Sequence, residues 1–402
     1  MSILSGKHII LGITAGIAAY KSPLLVRLLK KAGAEVRVVM TPAAKDFVTP
    51  LTLSTLSNNP VFVNFTSDDD NSLWNNHVEL GIWADMLIIA PATANTLSKM
   101  VNGSSDNLLI ATYLSAKCPV YFAPAMDLDM YKHPSTQKAF KKLQSYGNIL
   151  IPSTHGELAS GLVGKGRMAE PIEILNTIEK HTLNNLPLYG KKILITAGPT
   201  YERIDPVRFI GNYSTGKMGI ELANSVARSG GTVTLICGPT NLKSHGSGIQ
   251  TIEVSSAEEM YNKVHKYFDS VDVAILSAAV ADYKPKNVSL TKIKKSKASL
   301  NLELTKTKDI LASLGKLKNK QLLIGFALET NNEIENAKIK IKSKNLDFIV
   351  LNSLNDKGAG FGETSNKITI IDSEFNKTNF KLKTKKEVAD DIINELIRKM
   401  NV

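Results

Sequence analysis

The sequence predicts an α/β protein of two Rossmann-like domains, each a mostly parallel sheet flanked by helices. Three observations point there. Short apolar, β-branched runs alternate with amphipathic helical stretches through both halves of the chain. A length of 402 residues exceeds one ordinary core and suits two domains of about 200 residues each. Both halves also open with a strand followed by Thr-Ala-Gly, at 14–16 and again at 196–198. Nothing else aligns between them, so the likeness is one of fold rather than of repeat.

In chain order, strands are expected at 8–13, 35–41, 86–90, 119–123 and 149–152, with a helix near 18–31. The second half restarts at Lys191, with strands at 232–237, 271–277, 322–327, 348–352 and 368–371 and a closing helix at 386–400. Between the halves, 176–190 is polar, contains Asn184-Asn185 and Pro187, and reads as a linker. The domains are therefore placed at 1–188 and 189–402.

Composition narrows the function classes. Hydrophobic residues at 43% and charged ones at 21% suit a soluble globular protein. The first apolar run is interrupted by Gly12 and Gly16, too short to span a bilayer, and lacks a basic leader with a cleavage site. Neither a signal peptide nor membrane association is expected. Cys118 and Cys237 fall in separate halves, which argues against a disulfide framework and for a reducing cytoplasm. A net charge of +12 has three readings: a solvated lysine surface, nucleic acid, or anionic small molecules. No zinc-finger, RRM or aromatic-basic pattern supports nucleic acid. The motifs favour small anions.

The first strand runs into Gly12-Ile-Thr14-Ala-Gly16-Ile17-Ala-Ala-Tyr. Glycines there let the chain turn tightly, so that the next helix offers its amides to a phosphate. The spacing is not G-x-G-x-x-G, which points to a mononucleotide rather than NAD; a merely tight connection is the plain alternative. His77 opens a helical turn ahead of a buried strand, and a lone histidine is more often structural than catalytic. Pro91, Thr93, Asn95 and Thr96 follow that strand's carboxyl end, where open α/β sheets bind ligands. Met126, Asp127 and Met130 stand at the end of the next strand.

Together, GITAGIAAYKS, HVELGIWAD, APATANT and PAMDLDM resemble the homo-oligomeric flavin-containing Cys decarboxylases. Within that family the nearest likeness is to the decarboxylase half of bifunctional coenzyme A biosynthesis enzymes, over nearly all of 1–175. The resemblance implies FMN held by Gly12, Thr14, Gly16, Ile17, Thr41, Pro91, Thr93, Asn95 and Thr96, with His77 as the catalytic base. It implies substrate contacts at Met126, Met130, Gly166, Arg167 and Met168, and a homo-oligomer with the flavin site between subunits. Loss of CO2 from an acylated cysteine needs an electron sink beside Cα. Oxidation of the thiol carbon by a flavin supplies one, and a histidine near neutrality suits removal of the thiol proton. Two residues depart from the family pattern. Asp127 stands where an Asn contacts the substrate carboxylate, so either Asp127 is protonated or its contacts differ. Ser160 stands where a Cys donates a proton in the reductive step, and a hydroxyl is a far weaker acid. Cys118, just ahead of a strand, reads as core rather than a replacement.

In the second half, Gly211 to Lys217 has the spacing G-x-x-x-x-G-K, but Met218 replaces the Ser or Thr of a P-loop. A glycine-rich loop feeding a helix near 218–229 still makes an anion cradle. Asp282 ends another strand, and Lys292, Lys295 and Lys297 follow on a loop that is either a solvated charge run or a phosphate cover. Asp309 opens a helix, Phe326 is either core or a stacking partner for a base, and Lys340 and Lys344 share a helical face at i, i+4.

The set SAAVADY, KIKK and GFALETN resembles the ligase half of the same enzymes over 190–402. That implies Asn212 handling an acyl-cytidylate and Lys292 forming it. It implies CTP at Ser277, Asp282, Lys292, Lys308, Asp309, Ile310, Leu311, Phe326, Lys340 and Lys344. Arg208, Ser214, Gly216 and Lys217 would hold 4'-phosphopantothenate, and Asp282 the Mg2+ or Mn2+ that arrives with the nucleotide. Lys308 replaces the usual Pro. Attack of the phosphopantothenate carboxylate on CTP would give an acyl-CMP and pyrophosphate, and the cysteine amine would then displace CMP, with catalysis by positioning and charge neutralisation. The rival readings are a flavin oxidoreductase or prenyl-transferring relative, and a ligase whose flavin domain is a non-catalytic binding module.

Overall fold

A computed structural model describes residues 2–66, 74–246, 248–294, 300–329, 331–353 and 364–400. Lys295 and Lys297 of the lysine loop lie outside the described residues. The chain forms two compact units, Met1–Leu183 and Asn184–Val402.

The first unit runs β1 (His8–Ile13), α1 (Ser22–Lys31), β2 (Glu35–Met40), α2 (Pro50–Ser57), β3 (Val61–Phe62), α3 (His77–Trp83), β4 (Met86–Ala92), α4 (Ala94–Asn102) and α5 (Leu108–Ser115). It continues through β5 (Val120–Pro124), α6 (Leu128–Lys132), α7 (Pro134–Ser145), β6 (Ile149–Leu150), the hairpin β7 (Thr154–Glu157) and β8 (Val163–Arg167), and α8 (Pro171–Asn184). The main sheet is parallel, ordered β3-β2-β1-β4-β5-β6. Alternation along β1 explains its double covering: Ile9, Leu11 and Ile13 enter one core with Leu25 and Leu29 of α1, while Ile10 enters the other with Leu109 of α5. Ile174, Leu175 and Ile178 of α8 are buried in the first of these cores. Most of the stretch expected as a linker is therefore helix: polar residues between those apolar ones hid a three- to four-residue period.

The second unit repeats the order, as β13-β12-β9-β14-β17-β18, and adds an edge pair, β20 and β21. Its elements are β9 (Lys192–Ala197), the hairpin β10 (Tyr201–Arg203) and β11 (Phe209–Gly211), α9 (Lys217–Arg228), β12 (Thr232–Cys237), β13 (Ile249–Glu253), α10 (Ala257–Phe268) and β14 (Val273–Leu276). Then come the hairpin β15 (Tyr283–Pro285) and β16 (Leu304–Lys306), α11 (Ile310–Leu317), β17 (Leu322–Glu329), α12 (Glu333–Ser343) and β18 (Phe348–Ser353). Last are β19 (Ser365–Asn366), β20 (Ile368–Asp372), β21 (Lys377–Asn379), β22 (Lys383–Thr384), which pairs with β19, and α13 (Lys385–Met400). Strands β9, β12, β14, β17 and β18 are parallel, and β20 and β21 join antiparallel. One core takes Ile193 and Ile195 with α9 and α13; the other takes Leu194 with α10 and α11. Gly219 lets α9 lie close on β9, because a Cβ there would sit 2.5 Å from Ala197 Cβ and 2.7 Å from Ser277 Oγ.

Candidate active sites

In each unit a cavity opens where the strand order reverses, at the carboxyl ends of the parallel strands, which is where such sheets bind ligands. The first cavity holds about 890 Å³. Gly16 and Ile17 follow β1, Thr41 follows β2, and Thr93, Asn95 and Thr96 follow β4, all in its wall. Met126, Asp127 and Met130 after β5 face them, and Ser160, Gly166, Arg167 and Met168 come from the β7–β8 hairpin. Thr14 and Pro91 stand just behind: the Thr14 hydroxyl donates to the Pro91 carbonyl at 2.8 Å and accepts from the Thr93 amide at 3.3 Å, tying the two phosphate-type loops together.

Gly12 is placed differently from its expected role. It lies inside β1, where a Cβ would come within 2.6 Å of Leu109 Cδ1, so its part is to admit α5 onto the sheet. The Thr41 hydroxyl is buried, reaches the cavity and has no hydrogen-bond partner. Leaving such a group unpaired costs about 1–3 kcal/mol, and a polar ligand in the cavity would relieve it. The wall also carries groups the sequence reading passed over. Lys21 is buried, and its ammonium donates to the Met168 carbonyl at 3.0 Å and to Glu170 at 2.8 Å. Only burial distinguishes it from any other lysine of a helical turn. Lys99 and Asp106 pair at 2.5 Å, and Asn107 caps α5 through the Ile110 amide. These groups suit a phosphorylated, planar ligand such as FMN: an orphaned hydroxyl, small residues at a switch point, and a roomy, partly apolar cleft.

Asp127 caps α6, its Oδ1 accepting from the Leu128 amide at 2.5 Å. That side chain is thus engaged by the backbone at the start of its own helix. Ser160 sits exposed at the hairpin tip beside Gly161, whose φ is +82°. The hairpin docks by its backbone: the Met126 amide donates to the Gly166 carbonyl at 3.0 Å, and a Cβ on Gly166, with φ +141°, would lie 2.4 Å from the Met126 oxygen.

His77 does not line this cavity. It opens α3, edge-on to Trp74 at 5.6 Å and Phe65 at 6.3 Å, with a buried Nδ1 that has no partner. Trp74 at 57% exposure and Ile82 at 66% leave an apolar face beside it. Surfaces of that kind mark contact sites.

The second cavity holds about 510 Å³ and is lined by Asp282, Lys308, Asp309, Ile310, Leu311, Phe326 and Lys344. Asp309 caps α11 through the Ala312 amide at 2.9 Å and pairs with Lys344 at 2.8 Å. Burial pushes its carboxyl up, but the Ala312 amide and Lys344 outweigh that and hold it below the ordinary range. Lys344 is pinned from behind as well, because Gly315 approaches its backbone so closely that a Cβ would lie 2.1 Å from the Lys344 oxygen. Lys306 lines the cavity too, and was not foreseen.

Ser277, Lys292 and Lys340 are not in this wall. The Ser277 hydroxyl donates to the Thr196 carbonyl at 2.6 Å, and Lys340 pairs with Glu329 at 2.5 Å. Asn212 reaches the rim: its amide donates to the carbonyls of Ala279 at 3.0 Å and Val280 at 3.3 Å. Gly216, with φ +80°, turns the chain into α9, where Lys217 is the first residue, and the Ser214 hydroxyl accepts from the Gly216 amide at 3.3 Å. Arg208 bonds Asp205 and the Ile293 carbonyl. Among the described residues no cluster of three or more His, Cys, Asp or Glu side chains could hold a metal, and no helix is long and apolar enough to cross a membrane.

Residues 2–183 match the family described as Flavoprotein, and residues 188–400 match the DNA/pantothenate metabolism flavoprotein C-terminal domain. The chain is 54% identical over 355 residues to a cysteine/cysteine sulfinic acid decarboxylase of an unknown prokaryotic organism, covering 87% of this chain and 99% of that one. It is 42% identical over 396 residues to the coenzyme A biosynthesis bifunctional protein CoaBC of Bacillus subtilis strain 168, covering 98% and 97%. With the protein of the same name from Haemophilus influenzae the identity is 43% over 397 residues, covering 98% of each.

Proposed function

Because the chain belongs to the family of coenzyme A biosynthesis bifunctional proteins, we propose that its C-terminal unit makes the substrate that its N-terminal unit consumes. Residues 189–402 join cysteine to 4'-phosphopantothenate with CTP and Mg2+ or Mn2+. Residues 1–188 decarboxylate the resulting phosphopantothenoylcysteine to 4'-phosphopantetheine with FMN. The observation that carries this reading is the pair of cavities, each at a switch point, the first lined by Gly16, Thr41, Thr93, Asn95 and Arg167 and the second by Asp282, Lys308, Asp309, Phe326 and Lys344.

In the C-terminal unit, Phe326 offers a face for the base, and Lys344 and Lys308 offer positive charge to the phosphates. Asp282 supplies a carboxylate for a cation that is otherwise held by the phosphates, as nucleotide-borne Mg2+ usually is. Lys292 neutralises charge as the phosphopantothenate carboxylate attacks the α-phosphate; pyrophosphate leaves, and the cysteine amine then displaces CMP. Asn212, already bonded to the 279–280 carbonyls, stands where it can meet the acyl phosphate.

In the N-terminal unit, Gly16, Thr41, Thr93 and Asn95 would hold FMN, which when bound accepts the electrons released at the thiol carbon. The hairpin covers the substrate, and Arg167 and Met130 contact it. His77 removes the thiol proton from a neighbouring copy of the chain. Its absence from its own chain's cleft, its unpartnered Nδ1 and the exposed Trp74 and Ile82 support a homo-oligomer whose flavin site is shared. Mixing a His77→Asn variant with a cleft variant should restore part of the activity that each lacks; no restoration would sink the shared site. The setting is the cytoplasm, where these small-molecule substrates occur.

The test of the whole is to supply CTP, Mg2+, cysteine and phosphopantothenate and ask whether 4'-phosphopantetheine accumulates. A second reading of the first cavity is favoured by the 54% relative: the free amino acid, cysteine or its sulfinate, as the molecule decarboxylated. CO2 release from cysteine exceeding that from phosphopantothenoylcysteine would favour it.

A further inference from the structure

Asp205 is almost wholly buried, at 1% exposure, one of few such carboxylates among the described residues, and it lines neither cavity. Its side chain is fully used. Oδ1 accepts from the amides of Val207 and Arg208, each at 2.8 Å. Oδ2 accepts from the Ile293 amide at 3.2 Å and from the Arg208 guanidinium at 3.0 Å. The same guanidinium nitrogen donates to the Ile293 carbonyl at 2.5 Å. Ile293 is thus gripped at both its amide and its carbonyl from residues more than eighty positions earlier. A further backbone bond, from the Ser289 amide to the Ile204 carbonyl at 3.0 Å, closes the other side of the same loop. Within that loop the Ser289 hydroxyl donates to the Thr291 carbonyl at 2.6 Å.

Ile293 directly follows Lys292, which has no place in the wall of the nucleotide cavity but is the residue that the ligase reading gives to acyl-cytidylate formation. A lysine on an exposed loop is held only as well as its backbone is held, and catalysis by charge neutralisation depends on that placement. We propose that Asp205, with Arg208, clasps Ile293 and is the positioning residue for Lys292 in the first half-reaction of the ligase. The proposal rests on the ligase reading, but the clasp can be measured apart from it.

Asp205→Asn keeps the size and the Oδ1 acceptor, but turns an NH2 toward the Ile293 amide and the Arg208 guanidinium. With CTP, Mg2+ and phosphopantothenate present and cysteine omitted, pyrophosphate release should slow at least tenfold, with CTP affinity changed less than threefold. A merely structural loss would reduce the amount of active protein without separating those two quantities. In the nucleotide-free protein, tryptic cleavage after Lys292 should speed up at least fivefold, read by mass spectrometry of the full chain. Pyrophosphate release within twofold of wild type from folded Asp205→Asn protein would overturn the proposal. So would an unchanged cleavage rate. Should Asp205→Asn not fold, Ser289→Ala decides, because it loosens the same loop from a half-buried position outside the Asp205 clasp. A threefold slowing there supports the clasp and an unchanged rate refutes it. Wild-type protein that releases no pyrophosphate defeats the ligase reading, and the tryptic rates then still decide whether Asp205 holds Lys292.

Discussion

Gly166→Ala should detach the hairpin from the first cavity while leaving the flavin wall intact. At φ +141° a side chain is strained by about 1–3 kcal/mol. The new methyl would also lie 2.4 Å from a backbone oxygen that cannot rotate away. The hairpin must shift, which breaks the 3.0 Å bond from the Met126 amide and forfeits about 0.5–1.5 kcal/mol more. A combined loss of about 2–4 kcal/mol lowers the equilibrium constant for docking by roughly 30-fold to 1,000-fold. Under the proposed function the hairpin covers the substrate, whereas Gly16, Thr41 and Thr93 sit on the loops after β1, β2 and β4. The assay is CO2 release against phosphopantothenoylcysteine concentration, with FMN affinity measured separately by absorbance. KM should rise at least tenfold, with FMN affinity changed less than threefold. A KM within threefold of wild type would show that the hairpin does not cover the substrate, and the geometry would have misled.

Gly219→Ala should destabilise the C-terminal unit by about 1–3 kcal/mol through overpacking against β9, lowering ligation but sparing decarboxylation, as urea melts and the two separate assays would report. Asp309→Ala should cost about 0.5–2 kcal/mol through the lost cap, and Asp309→Asn, which can still cap α11, much less; equal losses in thermal melts would contradict that account. Lys21→Met strands the buried Met168 carbonyl and should cost about 1–3 kcal/mol in urea unfolding. Glu170 is held below its usual value of 4.5 by its hydrogen bond from Lys21, against slight burial, and by the charges of Lys21 and Arg167. A carboxyl depressed in the fold stabilises above its unfolded pKa and loses that stabilisation as pH falls through the folded one. Glu170→Gln should therefore be less stable than wild type at neutral pH, with the gap closing below pH 4.5; a gap independent of pH would refute the ion pair.

The parallel strands were legible because burial on both faces forces continuous runs such as Ile9–Leu11 and Ile193–Ile195. The ends of those strands located both cavities for the same reason. What escaped was held by tertiary contact rather than by pattern. The strands of the hairpins β7–β8, β10–β11 and β15–β16 are three to five residues long, too short for any period to mark them. Helix α8 was misread because its buried residues are few, and Lys21 because nothing in a lysine announces that its ammonium will be enclosed. Gly12 was read as a ligand contact from its place in a glycine motif, when the packing of Leu109 claims it. His77 was singled out from its motif, but nothing in that motif says that it stands outside the wall of its own chain's cleft.

The close crossing of Gly315 and Lys344 makes the rear of the second cavity's wall a transmitter. Helix α11 carries both the acid that steers the Lys344 ammonium and the glycine against which the Lys344 backbone rests. A methyl group added at 315, which does not line the cavity, would lever that cation out of place, so under the proposed function CTP affinity becomes sensitive to a position that an inventory of ligand contacts would never include.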